Sequence, residues 1–231
     1  MRIKRDSAVL IGRALDNFLP PVLRDQRWFM APLAWLLFRG KAKVFLDFKD
    51  RAFEMRLEEF AEVYLSIADA ASMQGDTDLN ERCVEAILGS VVGDSVLDVG
   101  CGRGYLLRRL REVAPTVTGC DIVIDEGRRI PEVTLVTASV EGLPFADGEF
   151  DTVVCTHTLE HVQRFSESLS ELRRVASTRL ILVLPRQRPY RYTLNLHLHF
   201  FPYAWSLIAA LGRRPGARLL DLGDWFYVED M

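Results

Sequence analysis

The chain has 231 residues, 49% of them hydrophobic and 26% charged, with a formal net charge of −3. Such values suit one α/β core with an appendage, and they exclude a disordered or collagen-like chain. The charge is uneven: residues 1–49 hold ten Lys/Arg against four Asp, a net +6, which leaves −9 on the rest. A split of this kind marks a surface with a separate task.

Met1 to Arg5 is basic, but Arg13 and Asp16 interrupt the apolar residues that follow, so no secretory signal is expected. Asn17-Phe18-Leu19-Pro20-Pro21 predicts a break, because proline fixes φ and forces the residue before it extended. Trp28 to Phe38 then runs without a charge between Arg27 on one side and Arg39, Lys41 and Lys43 on the other. It is shorter than the about 20 apolar residues that cross a bilayer. Two readings stay open. One is a helical lid packed on the rest of the chain or on a second copy, as in a homodimer. The other is an interfacial element within residues 18–49, its aromatic residues at headgroup depth and its bases on acidic lipid, a peripheral contact at the inner face of a membrane.

From Asp50 to Ala71 the apolar residues Phe53, Leu57, Phe60, Val63, Tyr64, Ile67 and Ala71 recur at helical spacing, with Glu58, Glu59 and Glu62 on the other face. One amphipathic helix is expected there. Gly75-Asp76-Thr77-Asp78 ends it, and Asp78 or Asn80 caps a further helix through Cys83, Val84, Ile87 and Leu88. Residues 1–77 therefore read as a basic, aromatic-rich helical extension, and 78–231 as a separate domain.

That domain is organised around Val96-Leu97-Asp98-Val99-Gly100-Cys101-Gly102-Arg103-Gly104, which leads into Tyr105-Leu106-Leu107. An aliphatic run, a glycine cluster and a segment with helical spacing predict strand, tight loop and helix. Glycines let the backbone approach a ligand closely, and a helix start offers N–H groups to it. The spacing is G-x-G-x-G with an acid before the first glycine, which departs from the G-x-G-x-x-G of dinucleotide binders. Thr116 to Asp121 is a strand ending in an acid about 20 residues past the loop, where a carboxylate suits a ribose diol. Val133 to Thr137 makes the third strand, followed by Ala138-Ser139-Val140-Glu141-Gly142-Leu143-Pro144-Phe145. Phe150 to Cys155 makes the fourth, and Thr156-His157-Thr158-Leu159-Glu160-His161-Val162 leaves its carboxyl end, where ligands of open α/β sheets sit.

A helix at Phe165–Val175, an apolar strand at Arg179–Pro185 and a basic, aromatic segment from Arg186 to Leu196 follow. That segment is either an anion-binding acceptor loop or an ordinary solvated one. His197 to Pro202 enters a helix from Tyr203 to Leu211, and a hairpin turned at Gly223-Asp224 closes the chain. The fold class is α/β: a Rossmann-like, seven-stranded, mostly parallel sheet with a C-terminal antiparallel hairpin and an N-terminal helical extension. Cys83, Cys101, Cys120 and Cys155 are far apart and show no metal-ligand spacing, so a reducing, cytoplasmic setting and no metal are expected.

Val96 to Gly104 resembles the first motif of class I S-adenosylmethionine-dependent methyltransferases, and the L-P-F and L-E-H-V stretches resemble its small-molecule, type 11-like branch. The resemblance implies that Gly100, Cys101, Gly102 and Gly104 hold the methionine part of S-adenosylmethionine and that Asp98 anchors its amino group. It implies that Asp121, with Ile122 beside it, takes the ribose. Ser139 stands where the family often carries an acid for the adenine amino group, and the Val140 backbone, Glu141 and Thr156 complete the set. The implied reaction is in-line methyl transfer to oxygen or carbon of a small-molecule or lipid-linked acceptor. Histidine has the intrinsic pKa of a base for it; His157 is the first candidate and His199 the second. The alternative is a non-catalytic, cofactor-binding subunit of another methyltransferase. A nucleic-acid substrate fits poorly with the acidic catalytic portion.

Overall fold

A computed structural model describes residues 20–70, 77–124, 129–192 and 196–231. The expectations for 1–19 and for the boundary at 71–76 lie outside it. So does part of the connection between the second and third strands.

The chain divides into two compact units, Met1–Gly75 with Arg188–Leu198, and Asp76–Gln187 with His199–Met231. The first contains helices α1 (Pro21–Arg24), α2 (Arg27–Phe38), α3 (Ala42–Arg51) and α4 (Leu57–Ala70). Pro20 stands at the N-cap of α1 and Pro21 at its first turn, where a missing N–H costs nothing, so the expected break is a helix start. The single helix expected over 50–71 is two: a 3-10 turn at Ala52–Glu54 and an extended Met55 separate α3 from α4. Met55 is buried in the unit's core while Phe53 is exposed, so burying the methionine redirects the chain and the helical spacing across it is coincidental.

The basic, aromatic segment expected at Arg186–Leu196, read as either an acceptor loop or a solvated one, falls largely within Arg188–Leu198, which belongs to the first unit. The Arg191 guanidinium pairs with Asp50 at 2.9 Å, its backbone N–H donates to Asp25, and Lys49 Nζ donates to the Tyr190 carbonyl. Tyr192 and Leu196 join Met30, Phe45, Phe48 and Phe60 in one apolar cluster.

The second unit is a seven-stranded sheet in the order β3-β2-β1-β4-β5-β7-β6. Its strands are β1 (Ser95–Val99), β2 (Thr116–Asp121), β3 (Val133–Thr137), β4 (Phe150–Thr156), β5 (Ala176–Leu184), β6 (Arg218–Asp221) and β7 (Trp225–Asp230). The first five pair in parallel, and β7 runs antiparallel to β5 and β6. Its described helices are α5 (Glu81–Leu88), α6 (Tyr105–Leu110), α7 (Phe165–Val175) and α8 (Ala204–Leu211). Two apolar clusters cover the central strands: Leu97 and Val99 belong to one, Val96 to the other. Burial on both faces explains why Leu180–Leu184 of β5 is an unbroken aliphatic run and why β1 is largely aliphatic.

Asn80 caps α5, its side chain accepting from the Cys83 N–H. On α7, Arg174 reaches the Leu143 and Phe145 carbonyls and Asp147, holding the segment after β3 against the sheet.

Candidate functional site

All the expected site residues of this unit lie at or beyond the carboxyl ends of the parallel strands. Parallel pairing of β2, β1 and β4 aligns those ends, so residues distant in sequence share one edge. After β1 the chain turns through Gly100, Gly102 and Gly104, each with positive φ, before α6 begins. At Gly100 a Cβ would lie 1.9 Å from the Thr158 hydroxyl, and φ is +78°, so two independent constraints demand glycine. At Gly102 nothing lies within 4 Å of where a Cβ would be, so the loop has an open side.

The loop differs from expectation in its donors. Gly100 and Cys101 N–H both donate to the Cys120 carbonyl, Gly102 N–H to Asp121 Oδ2 at 2.8 Å, and Gly104 N–H to the Cys101 carbonyl. These bonds tie the turn to β2, so its contribution is mainly shape. Gly100→Ala is expected to cost about 1–3 kcal/mol through left-handed strain and the clash. Thermal unfolding would show the loss, and adding Thr158→Ala, which removes the hydroxyl, should recover part of it.

Asp98 is 1% exposed, and neither carboxylate oxygen has a hydrogen-bond partner among the described residues. Burial pushes its carboxyl up to about 7, and the charge of Asp121 adds to the shift. An unpaired buried carboxylate is costly, and its persistence points to a positively charged ligand group. Asp121 closes β2, half-buried, and its second oxygen accepts from the Val123 N–H at 3.1 Å. A carboxylate offers about four acceptor sites, which suits it to hold more than one donor at the end of β2. Ile122 is half-buried beside it, and Thr156, the last residue of β4, is buried.

Ser139 Oγ accepts from the Glu141 N–H, shaping the turn after β3, and Val140 is buried in the core. Glu141 leaves the cofactor set. One oxygen accepts from the Gln163 and Arg164 N–H groups and the other pairs with the Arg164 guanidinium at 3.0 Å. An acid there satisfies the orphan donors at the start of α7. Cys101 is also largely occupied structurally: its thiol is buried, pushed well above its ordinary pKa chiefly by that burial, and close to Gly119.

His157 leaves β4 with a positive φ of 48°, its N–H donating to the Val183 carbonyl. Nδ1 lies 3.3 Å from Glu160 and Nε2 lies 3.7 Å from Asp224 in the β6–β7 turn. Burial alone would lower its pKa, but hydrogen bonding and charge from Asp224 and Glu160 prevail and raise it to about 10. A pKa raised in this way favours the protonated ring and works against the base role expected for it. Asp224 is itself held by the Asn80 amide at 2.9 Å, so the α5 cap also supports this pair. His199 differs: Nε2 donates to the Val162 carbonyl at 2.9 Å, its ring packs on Phe165, and burial lowers its pKa.

Glu160, Asp224, Asn80 and Thr158 were not singled out as site residues by sequence. Thr158 and Glu160 lie in the stretch after β4 and Asn80 reads as a cap candidate, but nothing local marks Asp224, and the partners that bring these residues together are distant in the chain.

A buried acid and a glycine turn lie at the carboxyl edge of a Rossmann-like sheet of order 3-2-1-4-5-7-6. Residues 97–183 match the family described as "Methyltransferase domain". The chain is 32% identical over 123 residues to "Demethylmenaquinone methyltransferase" of Beutenbergia cavernae, covering 49% of this chain and 51% of that one. It is 30% identical over 160 residues to "Ubiquinone biosynthesis O-methyltransferase" of Bordetella avium, covering 62% and 58%. It therefore spans between about half and three-fifths of the length of these curated relatives. The fold is shared with a SAM-dependent methyltransferase from Aquifex aeolicus, with a TM-score of 0.50 at 18% identity over 75% of this chain and 96% of that one.

Proposed function

We propose that the protein transfers the methyl group of S-adenosylmethionine to an oxygen or carbon of a small-molecule acceptor. The observation that carries this reading is Asp98, a buried carboxylate without a partner beside an open glycine turn, within a methyltransferase domain. The cofactor's ammonium supplies the charge that Asp98 lacks, and its ribose diol suits a carboxylate acceptor such as Asp121 at the end of β2. Ser139 and the Val140 backbone are assigned to the adenine, and Gly100 to Gly104, with Ile122 and Thr156, line the remainder.

The cofactor brings an activated methyl with a good leaving group, so the chain's own task is alignment and exclusion of water. His199 is assigned as the proton acceptor when the acceptor is a hydroxyl: burial lowers its pKa, and Nε2 donates to the Val162 carbonyl, so Nδ1 is the atom that would take the proton. His157 is assigned as a positioning cation that holds the β6–β7 turn to the end of β4. The named relatives make a quinone precursor, including a lipid-linked one, the first acceptor to test.

The test is turnover of methyl-labelled cofactor by the full chain with such precursors. Labelled product with stoichiometric S-adenosylhomocysteine supports the reading. Cofactor binding without transfer to any acceptor would leave a non-catalytic subunit instead. His199→Gln should lower kcat most at neutral pH, with KM for the cofactor little changed; an unaltered pH–rate profile would remove the base assignment.

A further inference from the structure

The described structure of the first unit leaves one helix face uncovered. Helix α2 is apolar all round: Met30 and Ala34 are fully buried in the unit's core, while Trp28, Trp35 and Leu36 on the opposite side are 68%, 57% and 70% exposed. Pro32 is exposed between them, so this side carries no charge from Trp28 to Leu36. Trp28 and Trp35 are seven residues apart, two turns along one face. The solvent side of a surface helix is normally polar, and Val22, 75% exposed on α1, extends the apolar surface.

Charge identifies the occupant. No acid occurs between Gln26 and Leu46, whereas Arg27, Arg39, Lys41 and Lys43 do, in a segment whose first 49 residues carry +6. Of these, Arg27 pairs with Asp47 at 2.7 Å and Lys41 Nζ donates to the Ser66 carbonyl, while Lys43 is exposed and has no ion pair among the described residues. Tryptophan favours the headgroup boundary because its ring is apolar and its N–H polar. Twelve helical residues reach about 18 Å, short of the about 30 Å of a hydrocarbon core. Among the described residues, no helix is long and apolar enough to cross a membrane.

We propose that the outer face of α2, with Trp28, Trp35 and Leu36 inserted and the neighbouring bases against the headgroups, docks the protein on an anionic lipid bilayer. This surface goes beyond the methyl-transfer reading and does not depend on it.

The experiment is flotation of the full chain with vesicles of phosphatidylcholine alone and with roughly a third phosphatidylglycerol. The expected result is binding to the anionic vesicles, weakened by salt, with a blue shift of tryptophan emission. The triple variant Trp28→Ser/Trp35→Ser/Leu36→Ser should lose roughly tenfold or more of that binding while melting as the parent does, because the three side chains are exposed. Absence of binding by the parent, or equal binding by parent and variant, would overturn the proposal. So would a parent dimer that the variant converts to monomer without any lipid binding by the parent, since the face would then be a contact between copies. No cofactor or acceptor enters this assay, so its failure leaves the methyl-transfer reading intact, and failure of turnover leaves the surface intact.

Discussion

Asp98→Asn should abolish most S-adenosylmethionine affinity while making the ligand-free protein more stable, a pairing that few substitutions produce. Removing one partner of a buried charge pair costs about 2–5 kcal/mol, or roughly thirty- to several-thousand-fold in Kd. Without the cofactor, however, the aspartate has no partner, and its carboxyl is pushed up to about 7 chiefly by burial. The sign follows from linkage. An acid whose folded pKa exceeds its unfolded value of about 3.9 binds its proton more tightly when folded. It therefore costs nothing well below pH 4, and stability is lost as pH rises from about 4 to about 7. The difference in unfolding free energy between the Asn variant and the parent should grow across that window and level off above it. Urea unfolding of both proteins from about pH 4 to pH 8 gives that difference directly. A flat difference would mean that the carboxylate is not penalised by burial.

The imidazolium at His157 adds a separate slope that the difference cancels. Its pKa is raised to about 10, so its contribution is complete below about 6.5 and is lost as pH climbs through 10. Both proteins carry it.

Arg173→Met should give the largest stability loss of any single substitution considered, about 3–5 kcal/mol. Glu229 is 2% exposed, and Arg173 meets it with two bonds of 2.5 and 2.9 Å. The same guanidinium donates to the Leu211 carbonyl at the end of α8, and the Tyr227 hydroxyl donates to Glu229. One arginine thus ties α7, α8 and the antiparallel strand β7 together. Removing it strands a charge that water cannot reach. For a chain of this length, that loss lowers Tm by roughly 10 °C. Arg173→Met/Glu229→Gln should recover a large part of it, because the penalty comes from the uncompensated carboxylate more than from lost attraction.

The parts legible in the sequence share a physical cause. Parallel strands buried on both faces are rich in β-branched and aliphatic residues, so β1, β2, β4 and β5 are legible as short strands between turn signals, β5 most plainly through Leu180–Leu184. The Asp98 and Gly100 to Gly104 motif is equally plain, because backbone approach and a buried acid restrict residue type locally. Asn80 was readable as a cap for the same reason. What could not be read depends on distant partners. Arg188–Leu198 follows β5 in sequence, yet it joins the first unit through Asp25, Lys49 and Asp50, more than a hundred residues away. Glu141 sits in a motif that suggests a ligand, and only the arrival of Gln163 and Arg164 shows that it serves the start of α7. His157 reads as a base from its place after β4 and its intrinsic pKa, and the carboxylate that counts against this, Asp224, comes from a turn near the end of the sequence. Local spacing misled once, over 50–71, where burial of Met55 outweighed a helical pattern.

The central claim is that the glycine turn and Asp98 receive S-adenosylmethionine. Calorimetric titration of the full chain with S-adenosylmethionine and, separately, with NAD at neutral pH tests it most directly. The account predicts saturable one-to-one binding of S-adenosylmethionine, none of NAD, and loss of the former in Asp98→Asn. Binding of NAD alone, or S-adenosylmethionine binding that Asp98→Asn leaves unchanged, would contradict it.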